Sequence, residues 1–103
     1  MAEAEEIARV FKVLSVPSRV RLLQLIKDGS LCVNALAREL DVTSAAVSQH
    51  LRVLRDNGLI RGRKHGYYVH YEVDPSVLER WRVLAQALFT PRLDRVLGRQ
   101  EEE

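Results

Sequence analysis

The sequence predicts a single, mainly helical α+β domain with a β-hairpin set between its fourth and last helices. Three observations carry this expectation. Apolar residues recur at three- and four-residue spacing over the first half of the chain. Between residues 60 and 73 the period drops to two, as in a strand with two unlike faces. After Asp74-Pro75 the helical spacing resumes. At 103 residues and 47% hydrophobic content, the chain is sized for one domain (1–103) with a compact core. Its acidic ends, about 1–4 and 99–103, are expected to be flexible, and no repeat or internal linker is visible.

In chain order, Ile7, Val10, Phe11 and Leu14 form a first helical stripe, interrupted at Val16-Pro17-Ser18. Ser18 or a neighbour begins a second helix, with Val20, Leu22, Leu23, Leu25 and Ile26 inside and Arg19, Arg21, Gln24 and Lys27 outside; "DGS" at 28–30 ends it. Val33, Leu36, Ala37 and Leu40 make a third helix. After the turn Asp41-Val42, Thr43 is placed to cap a fourth, which Gly58 terminates as a left-handed residue. "LIRGR" and "YYVHYEV" then flank Lys64-His65-Gly66 as a hairpin, whose Tyr67, Val69, Tyr71 and Val73 the alternation assigns to the buried face. Asp74 caps a last helix with the stripe Val77, Trp81, Leu84 and Leu88, running to Thr90-Pro91; Leu93, Val96 and Leu97 extend it as a short amphipathic tail. Two helices joined by a three- or four-residue turn, the second short and basic, form a helix-turn-helix, and the hairpin behind it makes the whole a winged helix-turn-helix: helices 1–4, a two-stranded wing and a C-terminal helix.

Charge narrows the partner. The formal net charge is +2, but residues 9–99 hold sixteen Lys/Arg against eight Asp/Glu, a net +8 for the body of the chain. A body of that charge suits a polyanion such as nucleic acid. The apolar runs are far shorter than the roughly 20 residues that cross a bilayer, and "MAEAEE" is acidic where a secretory signal is basic, so a soluble cytoplasmic protein with no membrane partner is expected. The lone Cys32 forms no intrachain disulfide, which fits a reducing compartment.

The stretch "AVSQHLRVLRDNGLIRGRKHGYYVHY" joins a V-S-x-H-L-x-x-L run, a Gly-Leu-Ile entry and an aromatic-rich second wing strand. With the residues around it, about 5 to 90, it resembles the metal- and stress-responsive repressors of the ArsR/SmtB family. The resemblance implies a homodimeric repressor that binds a palindromic operator and releases it when an inducer, here unidentified, binds.

The DNA-facing residues follow from the helical wheel. Val47, Leu51 and Leu54 share one side of the fourth helix, which leaves Ser44, Ala45, Ser48, Gln49 and Arg52 on the other. Short side chains at a recognition helix's beginning allow close approach in the major groove, and glutamine pairs with an adenine edge. Arg52 and Arg55 are placed for phosphates, which give affinity and register. His50 sits at the edge of the apolar face, either packed between helices or on a phosphate. The basic hairpin residues Arg61, Arg63, Lys64 and His65 can reach phosphates or the adjacent minor groove. Ser and Ala are permissive contacts that specify no base, and the family more often has Gln-Ser where this chain has Ser44-Ala45, so the base contacts that the resemblance implies do not carry over at those two positions.

The first and last helices carry more apolar surface than so small a domain can cover, so Ile7, Val10, Phe11, Leu14, Val77, Trp81, Leu84 and Leu88 are candidates for a two-fold interface. Packing of the last helix over the first within one chain is the alternative. A dimer would set two recognition helices about 34 to 36 Å apart, one turn of duplex.

Cys32 is the candidate sensor. The family's thiolate sites use Cys-Val-Cys, and here Asn34 replaces the second thiol; its other site needs histidines on the last helix, and none follows His70, which leaves Asp74 and Glu79 alone. No metal site and no cofactor is therefore expected. The readings of Cys32 that stay open are a structural side chain, a thiol that senses electrophiles or oxidants, a partner for a cysteine of another chain, or a ligand of a metal shared with His65, His70 or carboxylates. No phosphate-cradling glycine loop or Ser/His/Asp set supports an enzyme. A winged-helix protein-interaction module without sequence-specific DNA binding is the alternative function.

Overall fold

The computed structural model describes residues 2–92. The elements run α1 (Ala2–Val13), α2 (Pro17–Ile26), β1 (Leu31–Cys32), α3 (Val33–Leu40), α4 (Ser44–Asp56), β2 (Ile60–His65), β3 (Tyr68–Val73) and α5 (Pro75–Phe89). Residues 2–4, expected to be flexible, form the first turn of α1. The expected tail residues Leu93, Val96 and Leu97, and the end 99–103, lie outside the described residues.

The helix ends follow local chemistry. Pro17 opens α2, where its fixed φ fits and its missing N–H costs nothing. The end of α3 is less ordinary. Asp41 takes the left-handed conformation (φ 54°), and the Val42 N–H reaches back to the Ala37 carbonyl at 3.2 Å. A short polar side chain tolerates that conformation, and the reversal sets the sharp corner of the helix-turn-helix. The α4 start is capped as its sequence requires, with the Thr43 hydroxyl accepting from the Ala46 N–H at 3.1 Å. Gly58 (φ 77°) then lets the Leu59 N–H return to the Leu54 carbonyl at 3.0 Å and turns the chain into the wing.

Leu22, Ile26, Leu36, Val47, Leu51, Leu54 and Leu59 are fully buried, so one core is shared by α2, α3, α4 and the entry to β2. Val20, assigned to the buried face of α2, instead lies at the surface (36% exposed), while Arg19 folds inward and donates from Nε to the Val13 carbonyl at 2.6 Å. That bond ties α2 to the end of α1, and the helix rotates Val20 outward.

Among the described residues the sheet has three antiparallel strands in the order β1-β3-β2. The wing is thus braced by a third strand that the sequence did not suggest, since Leu31-Cys32 is too short to show alternation. It pairs Leu31 with Tyr71 and Cys32 with His70. In the hairpin His65 pairs with Tyr68, so the turn is the two residues Gly66-Tyr67 rather than Lys64-His65-Gly66. Only the first of these has positive φ (65°), the requirement of a type II′ turn. Tyr67 is consequently not a core residue: it stands wholly in solvent, and Val69 is also exposed. Tyr71 and Val73 do pack against the core. Gly62 makes this packing possible, because a Cβ there would come within 2.8 Å of Val69 Cγ1 and 3.3 Å of Tyr71 Cε1.

Candidate nucleic-acid interface

Burial of Val47, Leu51 and Leu54 fixes the rotation of α4, and every other property of its outer face follows. Ser44, Ala45, Ser48, Gln49, Arg52 and Arg55 are all exposed, with the small groups at the N-terminal end and the arginines behind them. His50 is half-buried at the boundary between the faces. Arg55 approaches Asp56 at 3.7 Å, longer than the contacts of Arg61 and Arg63 with Glu72 and with both side chains more than half exposed, so this pair holds the guanidinium only loosely.

The register sorts the wing into two faces, because residues directly opposite in an antiparallel pair point the same way. Arg61, Arg63 and His65 share one face with Glu72, His70 and Tyr68. Glu72 is the centre of that face. Its Oε1 accepts from Arg61 Nε at 3.1 Å and lies 2.6 Å from Arg63 Nε. Arg61 also lies 3.9 Å from Asp74. The two arginines that the sequence offers to DNA are therefore both engaged by a carboxylate which sequence reasoning did not single out. Nearer the tip, the His65 and His70 rings stack at 4.6 Å with a 31° tilt, and Lys64 projects from the opposite face.

At the wing's base the Asp74 N–H donates to the Leu59 carbonyl at 2.9 Å. Its side chain caps α5: one carboxylate oxygen accepts from the Ser76 hydroxyl (2.7 Å) and from the Ser76 and Val77 N–H groups (3.0 and 3.3 Å). The Ser76 hydroxyl, followed by the Val77 N–H, holds this carboxyl below its ordinary pKa.

The proposed dimerisation helices meet each other within one chain. Val10 and Leu84 are buried, Arg80 Nη2 donates to both carboxylate oxygens of Glu6 at 3.0 and 3.2 Å, and Phe11 meets Phe89 edge to face at 5.9 Å. Ile7 is half-buried. Leu14, Val77 and Trp81 are partly buried against the core. The apolar surface left outside comprises Phe11, Val83, Leu88 and Phe89.

Cys32 is half-buried at the N-cap of α3, on the strand position opposite His70. Among the described residues no group of three or more His, Cys, Asp or Glu side chains is placed to hold a metal ion. No helix among them is long and apolar enough to cross a membrane.

Comparison with known proteins agrees with this geometry. Residues 16–61, which hold α2, α3 and α4 and the first residues of β2, match the model of the bacterial regulatory protein arsR family. The chain is 37% identical over 87 residues to a transcriptional repressor SmtB homolog of Synechocystis, a match covering 84% of this chain and 66% of that one. It spans 60% and 58% of the Escherichia coli arsenical resistance operon repressor and a Staphylococcus aureus cadmium resistance regulator, both also 37% identical over 70 residues, or 67% of this chain. Among solved structures, a possible transcriptional regulator for arsenical resistance superposes with a TM-score of 0.73 at 38% identity, covering 86% of this chain and 93% of that one. A homodimeric winged helix-turn-helix DNA-binding domain of Mycobacterium bovis superposes at 0.69 with 28% identity, covering 84% and 81%. With the winged helix-turn-helix seen residue by residue and relatives matched at this identity over most of its length, the chain belongs to the arsR family of bacterial regulatory proteins.

Proposed function

We propose that the protein is a cytoplasmic homodimeric repressor that binds a palindromic double-stranded operator and is released from it by an inducer. The observation that carries this reading is the outer face of α4: small groups and Gln49 at its beginning, two arginines behind, and a basic wing beside it. Ser44, Ala45 and Ser48 let the helix approach base edges, Gln49 pairs with an adenine, and Arg52 and Arg55 hold phosphates. The apolar remainder Phe11, Val83, Leu88 and Phe89, continuous with the buried contact of α1 and α5, is the surface on which a second copy docks, as the homodimeric Mycobacterium bovis domain supports.

Fluorescence anisotropy on a duplex from the protein's own upstream region tests the reading. Affinity falls by about 0.9 log units per log unit of salt for each phosphate neutralised. Gln49→Ala costs about 1 to 3 kcal/mol at one base position, whereas a uniform loss over all sequences would make Gln49 a backbone contact. Binding of a protein partner with no salt slope, unaffected by Gln49→Ala and Arg52→Ala, would assign the fold to protein interaction instead.

A further inference from the structure

Tyr67 is the largest side chain in the described structure with no burial at all, at 102% of its reference exposure. Its position is fixed rather than incidental. The Gly66-Tyr67 turn makes it the second central residue of a two-residue hairpin, so it stands at the apex of the wing, and a Cβ added at Gly66 would meet nothing within 4 Å. An aromatic ring held in water by a tight turn has given up the apolar contacts that normally offset its ordering.

The charges around it point the same way. Lower on the wing, Arg61 and Arg63 are held by Glu72, whereas Lys64 near the apex has no ion pair among the described residues. Attraction to a polyanion is therefore weighted towards the tip.

We propose that Tyr67 reads the minor groove flanking the site of α4, with its ring along the groove wall and its hydroxyl donating to adenine N3 or thymine O2. This rests on the DNA-binding reading above. The minor groove shows only acceptors at A·T pairs, and guanine adds an N2 amino group that blocks such a donor. The hydroxyl thus prefers A·T at positions that α4 never touches, and being neutral it adds nothing to the salt slope.

The test uses a fluorescein-labelled duplex of the protein's own upstream region, with hydroxyl-radical footprinting to locate the minor-groove positions under the wing. Those positions are changed from A·T to G·C or to inosine·C, which restores the A·T pattern in the minor groove alone. The wild type loses about 3- to 10-fold on G·C and recovers on inosine·C, the range of one hydrogen bond. Tyr67→Phe binds all three duplexes alike, and Tyr67→Ala binds them alike and more weakly, each with the wild-type salt slope. Discrimination that persists in Tyr67→Phe, or Tyr67→Ala binding as tightly as wild type, overturns the proposal while leaving the repressor reading intact. A wild type that binds none of the duplexes removes both.

Discussion

Glu72→Gln should make this protein a tighter and more salt-sensitive DNA binder. The amide keeps the shape of the side chain but removes the charge that holds Arg61 at 3.1 Å and Arg63 at 2.6 Å. Both arginines are about half exposed or more (49% and 61%), so water screens each pair to roughly 0.2 to 1 kcal/mol. A phosphate that recruits either guanidinium must first overcome that attraction. Relieving two pairs is worth about 0.4 to 2 kcal/mol, or roughly 2- to 30-fold in affinity. The slope of log K against log salt steepens by about 0.9 per newly neutralised phosphate, so by up to about 1.8. Anisotropy titrations from about 50 to 200 mM salt resolve a change of that size. An unchanged slope and affinity in Glu72→Gln would refute the idea that the Glu72 carboxylate withholds the wing's charge.

Three further outcomes concern stability. Thr43→Ala leaves the Ala46 N–H without its partner at the start of α4 and should cost about 1 kcal/mol in urea unfolding. Gly62→Ala places a Cβ 2.8 Å from Val69 Cγ1, so Val69 and Tyr71 must shift at about 1 to 3 kcal/mol; hydrogen exchange should show the loss in β2 and β3. Asp74→Asn tests the cap of α5 through pH. The folded pKa of Asp74 is lowered from 3.8, chiefly by the Ser76 hydroxyl, so its contribution is present above 3.8 and is lost as pH falls through the lower folded value. The gap between wild-type and Asp74→Asn urea midpoints should therefore hold steady above that range and close on acidification below it.

Much of α4 was legible in the sequence because its determinants are local: a hydroxyl at Thr43, a stripe at Val47, Leu51 and Leu54, a glycine at 58. The wing was less so. Its alternation is real, since Arg61, Arg63 and His65 do share a face, but the period of two runs unbroken through the turn and carried Tyr67 into the core by extrapolation. A one-residue misplacement of a turn also hides every cross-strand pair. With the turn at Gly66-Tyr67, Arg61 falls opposite Glu72 by counting alone. Leu31-Cys32 could not be found this way, because a two-residue strand exists only through its partner Tyr71-His70. Nor could pattern decide what the stripes of α1 and α5 face: each fits the other and a second copy equally well, and Val10 and Leu84 settle one part of that choice by being buried within a single chain.

That contact joins the beginning of the chain to its far end. During synthesis, Val10 is made 74 residues ahead of Leu84 by sequence number, so the contact of α1 with α5 must wait for the last described helix. At about 5 to 20 residues per second the wait is roughly 4 to 15 s. Most of the core, from Leu22 to Ile60, belongs to α2, α3, α4 and the start of the wing and is made before then, and Val77, Leu78 and Trp81 of α5 complete the packing against it.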